Sequence, residues 1–171
     1  MAVAKIPPPS VTLSLETQIR ALELVVLSDP DAARVRLLQL RHAAQQEGDP
    51  ASEAYALCLL GGCAFFQGNY PDTTLYAKFA LNVSDRHEHL NLKARALNAL
   101  GLALTRTGQY DEGMQYFLDS LTLADSLNDD ASKARAITTW RARTWTSAIT
   151  TGPWNSPRKA PRWPAGPASC R

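Results

Sequence analysis

No apolar run in this 171-residue chain approaches the roughly 18 residues that a membrane-spanning helix needs, so no membrane association is expected. Met1 to Ser10 hold Lys5 and Pro7, Pro8 and Pro9 but no apolar stretch of signal-peptide length, which makes the cytoplasm the expected compartment. Cysteine is scarce. Cys58, Cys63 and Cys170 are an odd number, and the first two lie five apart on one expected helix, where their side chains diverge by more than about 100°. No disulfide framework follows. Catalytic motifs are missing as well: there is no G-x-S-x-G, no P-loop and no H-E-x-x-H. Carboxylates such as Asp111, Glu112, Asp129 and Asp130 fall at expected helix starts, where the helix dipole favours negative charge. His87 and His89 flank Glu88, but no further ligand stands at metal-binding spacing, and His42 is alone on a helix surface. Neither catalysis nor any metal or cofactor is expected.

Acid is missing from residues 134–171. Residues 1–133 carry 16 acidic and 11 basic side chains, a net of −5, whereas residues 134–171 carry 7 basic side chains and no acid, a net of +7. The two parts differ in other respects. The second holds all 4 tryptophans, Trp140, Trp145, Trp154 and Trp163, and 5 of the 11 prolines. A basic aromatic segment suits nucleic acid in principle, but no basic helix or glycine-aromatic ladder accompanies it, so nucleic acid is not an expected partner.

What is present is an internal echo at a spacing of 40 residues. Leu57, Leu60, Gly61, Gly68 and Tyr70 recur as Leu97, Leu100, Gly101, Gly108 and Tyr110. Leucines three apart followed by a small residue give a helix a face that another helix can approach closely, and Gly-x-Tyr then breaks the chain and starts a second helix. The repeated unit is a helical hairpin.

Leu97, Leu100, Gly101, Leu104, Gly108, Tyr110, Phe117 and Leu121 together resemble the signature of a tetratricopeptide repeat (TPR), a unit of about 34 residues. An earlier copy matches at Leu57, Leu60, Gly61, Gly68, Tyr70, Ala80 and Leu81, but has Ala64, Thr73 and Ala77 where that family usually has a bulky residue, a small residue and an aromatic. In the later copy Gly113 and Ser120 replace the usual alanines. Shifting back a further 40 residues leaves only Ala21, Leu24, Ala33 and Leu37 in compatible places.

The resemblance implies an all-α, TPR-type solenoid of helical hairpins with six to seven antiparallel helices and an irregular C-terminal tail. The expected organisation is a disordered segment 1–12, a helical repeat domain 13–149 and a Pro/Trp/Arg-rich tail 150–171. Within the domain, repeats are expected at 14–47 (degenerate or capping), 54–87, 94–127 and, in part, 134–149. Helices are expected at 13–27, 31–46, 52–67, 72–85, 90–107, 111–127 and 131–149. Asp29-Pro30 and Asp49-Pro50 mark two starts, since the aspartate caps orphan amides and proline fits the first helical position. Leu57, Leu60, Leu97, Leu100 and Leu104 are expected in the core, with Tyr70, Tyr110 and Phe117 wedged between neighbours.

In such a stack the inner wall is formed by the first helix of each hairpin. The resemblance places Tyr55, Cys58, Gly62, Phe65 and Phe66 there from one hairpin and Arg95, Asn98, Leu102, Thr105 and Arg106 from the next. Tyr55, Phe65, Phe66, Arg95, Asn98, Leu102, Thr105 and Arg106 are the candidate peptide-binding groove, suited to a peptide with an apolar anchor and an acidic or backbone-amide partner. The alternative for Phe65 and Phe66 is packing within their hairpin. One family mechanism does not transfer: where some TPR domains clamp a chaperone's terminal carboxylate with Lys, Asn and basic residues, this chain has Cys58, Gly62, Ala99, Arg135 and Thr139. Only Arg135 fits.

The resemblance thus implies a protein- or peptide-binding scaffold or sensor module, and the 40-residue spacing looks like arrays in bacterial signalling proteins. A small-ligand receptor is the alternative, as is a regulatory fragment of a multidomain signalling enzyme such as a diguanylate cyclase. Leu121, Leu123 and Leu127 leave an apolar face after the last full repeat, so self-association through the C-terminal hairpin is expected.

The 40-residue period stops abruptly. Gly68 and Gly108 require a turn glycine near 148, yet the chain there reads Ser147-Ala148-Ile149-Thr150. Joining the last base of each codon to the first two of the next turns Trp145-Thr146 into aspartate and Trp154-Asn155 into glutamate, because tryptophan has one codon. With permitted third bases, 139–156 rereads as Leu-Ala-Arg-Ala-His-Leu-Asp-Leu-Gly-Asp-Tyr-Asp-Arg-Ala-Val-Glu-Leu, a TPR sequence whose glycine and tyrosine replace Ala148 and Thr150. The sequence after about Ile137 therefore reads as the product of a frame shift in an ancestral repeat.

Overall fold

A left-handed residue recurs every 20 positions along the chain: Gly48 (φ 67°), Gly68 (φ 76°), Glu88 (φ 56°), Gly108 (φ 88°) and Asn128 (φ 53°). Each ends a helix, and at each the amide of the following residue closes the turn on a carbonyl five residues back. These bonds run from Asp49 to Ala44 (2.9 Å), Asn69 to Ala64 (2.8 Å), His89 to Ser84 (2.9 Å), Gln109 to Leu104 (2.9 Å) and Asp129 to Ala124 (3.0 Å). This is the Schellman arrangement, in which the left-handed residue lets the chain fold back onto carbonyls that the helix leaves unbonded. The physical period is therefore one helix and its turn, half the spacing visible in the sequence.

The computed structural model describes residues 13–137; the segment 1–12, the remainder of the expected partial repeat and the tail 150–171 lie outside the described residues. Six full helices follow one another: α1 (Leu15–Ser28), α2 (Pro30–Glu47), α3 (Pro50–Phe66), α4 (Tyr70–Arg86), α5 (Leu90–Arg106) and α6 (Tyr110–Ser126). A further helical segment, α7, covers 130–137. Among the described residues there is no strand, and no helix is long and apolar enough to cross a membrane. The starts follow local chemistry. Ser14, Asp29, Asp49 and Asn69 each accept a bond from the amide three residues on, and Asp129 does the same for Ser132 at 3.1 Å. Proline occupies the first turn of α2, α3 and α4, where its missing donor costs nothing. His89 and Gln109 supply no such side-chain bond.

From α1 to α6 each helix packs on the next, giving antiparallel hairpins, and α3 also touches both α1 and α5. No corresponding contacts join α2 to α4 or α4 to α6. Odd helices therefore crowd together on the inside of a curve while even helices fan apart outside it. This is an all-α helical-repeat solenoid. Its core is built from Ile19, Leu37, Leu57, Leu60, Leu97, Leu100 and Phe117 between small residues such as Ala33, Ala80, Ala103 and Ala124. Each buried aliphatic or aromatic side chain contributes roughly 1.5–3 kcal/mol.

Tyr110 departs from the expectation that it is wedged in the core, being 57% exposed. Its counterpart Tyr70 packs against the Phe65 ring at 5.7 Å, but the residue matching Phe65 in the next hairpin is Thr105, which has no ring to offer. Leu104 is half-buried rather than sealed in the core.

Candidate functional site

Three residues spaced 40 apart, Tyr55, Arg95 and Arg135, hold the same register on α3, α5 and α7. They face the inner side of the curve. The Arg95 guanidinium lies over the Tyr55 ring, 5.0 Å from its centroid, and pairs with Glu23 of α1 at 2.5 Å. That ion pair reaches from the first helix to the fifth across the third. Burial would raise the Glu23 carboxyl, but the Arg95 guanidinium, the nearby Tyr55 hydroxyl and Arg135 outweigh it and hold the group below the usual carboxylate range. Burial lowers the Arg135 guanidinium, and repulsion from Arg95 adds to that, so the two cations sense one another; Glu23 and Asp129 act in the opposite direction.

One turn further along α5 than Arg95, and on the same face, stands Asn98. It is only 5% exposed, and its carbonyl Oδ1 is buried with no hydrogen-bond partner. A buried acceptor left unbonded costs about 1–3 kcal/mol, so its presence calls for a reason. Its register partner on α3, Cys58, is buried and lies 3.9 Å from the Leu92 carbonyl through Sγ. Burial pushes the Cys58 thiol up to about 11, against the pull of Arg95 and Arg135. Gly62 faces α1, where a Cβ would sit 3.4 Å from Val26, so α1 covers this part of the wall.

The expected groove residues therefore divide. Tyr55, Arg95 and Asn98 come together on the wall, and half-buried Leu102 lies one turn beyond Asn98. Phe65, Phe66, Tyr70 and Arg106 form a separate cluster at the far end of α3. There the Phe65 and Phe66 rings meet edge to face at 5.8 Å and Arg106 lies over Phe65 at 5.4 Å. Phe66 is 53% exposed while Phe65 is half-buried under its neighbours. Thr105 is turned away from both groups. It is buried in the α5–α6 seam, donates to the Gly101 carbonyl at 2.9 Å, and would contact a Cβ on Gly113 at 2.6 Å. Glycine rather than alanine at 113 thus answers the Thr105 methyl. Glu23 carries no repeat signature, and only its spatial pairing with Arg95 brings it into the site.

A second concavity exists on the outer side. Because α4 and α6 do not touch, a cavity of about 400 Å³ opens between them over α5, bounded by Pro71, Lys78, Leu104, Glu112 and Tyr116 among others. The His87 and His89 rings stack at 6.4 Å, but no group of three or more His, Cys, Asp or Glu among the described residues is arranged to hold a metal ion.

No protein-family model matches the chain, and comparison with curated proteins likewise gives no match.

Proposed function

We propose that this chain is a protein- or peptide-binding scaffold or sensor module of TPR type, working in a signalling system, with its ligand on the inner wall of the solenoid. The observation that carries the reading is the line of Tyr55, Arg95 and Arg135 beside the unbonded Asn98 carbonyl. Stacking odd helices requires only small and aliphatic residues at these places, and the buried Asn98 carbonyl is costly to leave unbonded. Peptides offer the matching groups, amide N–H for Asn98 and acidic side chains for arginine. The 40-residue TPR-like signature, carried by the second and third of three stacked helical hairpins, supports the assignment of type. Self-association through the C-terminal hairpin belongs to the same reading: Leu121 and Leu123 are half-buried and Leu127 is exposed. Sedimentation at high concentration tests it.

The test of the binding reading is capture from lysate of the source cell with the wild-type chain and with an Arg95→Glu, Asn98→Ala variant shown to be folded by circular dichroism. A partner retained by the first and lost by the second is expected. Equal capture by both rejects the inner wall. The outer cavity favours a second reading, a small-ligand receptor; a metabolite that raises the melting temperature, and ceases to do so after Lys78→Ala, would select it.

A further inference from the structure

We infer that Glu23 occupies the place of a ligand carboxylate on Arg95, so that an acidic residue of a bound peptide replaces Glu23 there while a peptide donor bonds the Asn98 carbonyl. This deepens, and rests on, the peptide-binding reading above.

The exchange is one carboxylate for another. Arg95 and Glu23 lie 2.5 Å apart with side chains 19% and 36% exposed, so the acid is the more accessible member and can leave toward solvent. The cation stays behind, fixed over the Tyr55 ring. An incoming carboxylate regains the charge-assisted bond that Glu23 gives up, and the net electrostatic cost of the swap is small. Asn98 decides the direction of the exchange. Its Oδ1 has no partner while Glu23 is in place, and a carboxylate cannot supply one because it only accepts. A peptide backbone carries an N–H beside every side chain, so an acidic residue in a peptide satisfies Arg95 and Asn98 together, which Glu23 does not. Nearby Arg135 adds attraction for the same acid. The ligand class is accordingly a peptide segment with an Asp or Glu, and Glu23 is its internal competitor.

The experiment is a selection from a displayed random octapeptide library on wild-type protein and on Glu23→Gln. Affinities of the leading synthetic peptide and its Glu-to-Gln counterpart are then read by fluorescence anisotropy. Glu23→Ala serves as a second variant, and circular dichroism checks every fold. The expected result is enrichment of acidic residues, with Glu23→Gln binding the acidic peptide about threefold or more tightly than wild type, as befits a partly exposed ion pair. The preference for Glu over Gln should vanish in Arg95→Gln. Peptides selected without acidic preference, or unchanged affinity in both Glu23 variants, overturn the inference and leave the peptide-binding reading standing. If no peptide is selected by any variant, that reading falls and the inference with it.

Discussion

Gly101 and Phe117 are in such close contact that a Cβ added to Gly101 would lie 2.8 Å from Phe117 Cδ1 and 2.9 Å from the Gly113 carbonyl. The equivalent glycine one repeat earlier, Gly61, would place its Cβ at ordinary distances, 3.6 Å from the Thr73 carbonyl and 3.7 Å from Tyr76. The difference comes from the partner: Phe117 in the later hairpin is Ala77 in the earlier one. Gly101→Ala should therefore destabilise by about 1–3 kcal/mol through overpacking. Gly61→Ala should be neutral or stabilise by up to about 1 kcal/mol through helix propensity. Urea denaturation of both variants checks this, and equal effects would mean that the two seams are not packed as described.

Glu88 holds the left-handed position that Gly48, Gly68 and Gly108 fill elsewhere. A side chain there costs about 1 kcal/mol or more relative to glycine. Glu88→Gly is expected to stabilise the fold by about 1 kcal/mol, a rise of about 2–4 °C in Tm. A fall in Tm would show that the Glu88 side chain makes a contact worth more than the backbone strain.

Burial pushes the Cys58 and Cys63 thiols up to about 11, from an ordinary value of 9.0. Both favour the folded state while neutral. Their contribution is complete below pH 9, where the unfolded thiol is also protonated, and is lost as pH rises toward 11 because only the unfolded chain ionises readily. Two pKa units correspond to about 2–3 kcal/mol per thiol. Stability should therefore fall from 9.0 to about 11 on the pH scale, the window these shifts define, more steeply in wild type than in Cys58→Ala, Cys63→Ala. Parallel pH profiles from denaturation would refute the assignment.

The 20-residue rhythm of turns persists to the last described residues, with α7 starting at 130 in step and Ser132 and Ala136 buried. The glycine that the rhythm requires near 148 is absent from the chain. Sequencing the gene should show that the upstream-shifted frame after codon 137 is open and encodes the missing Gly-x-Tyr turn. Stop codons in that frame would return the Trp/Arg/Pro tail to consideration as an evolved segment.

The all-α hairpin solenoid was legible in the sequence because its determinants are local. Gly68-x-Tyr70 and Gly108-x-Tyr110 mark turns through backbone conformation, and Asp29-Pro30 and Asp49-Pro50 mark starts through capping, none of which needs a distant partner. The half-period is less marked in the sequence because those chemistries lapse at Glu88 and Asn128, which stand in glycine's place, and at His89 and Gln109, which make no capping bond. Register alone brought Tyr55, Arg95 and Asn98 onto one wall, since residues spaced by a whole repeat must stack. Register could not foresee that Thr105 turns into the seam, that Tyr110 is exposed where Tyr70 is half-buried, or that Gly61 has room which Gly101 has not. Those outcomes depend on the size of the facing side chain. The pairing of Glu23 with Arg95 joins residues 72 apart in sequence; only the curvature that crowds α1, α3 and α5 together brings them into contact.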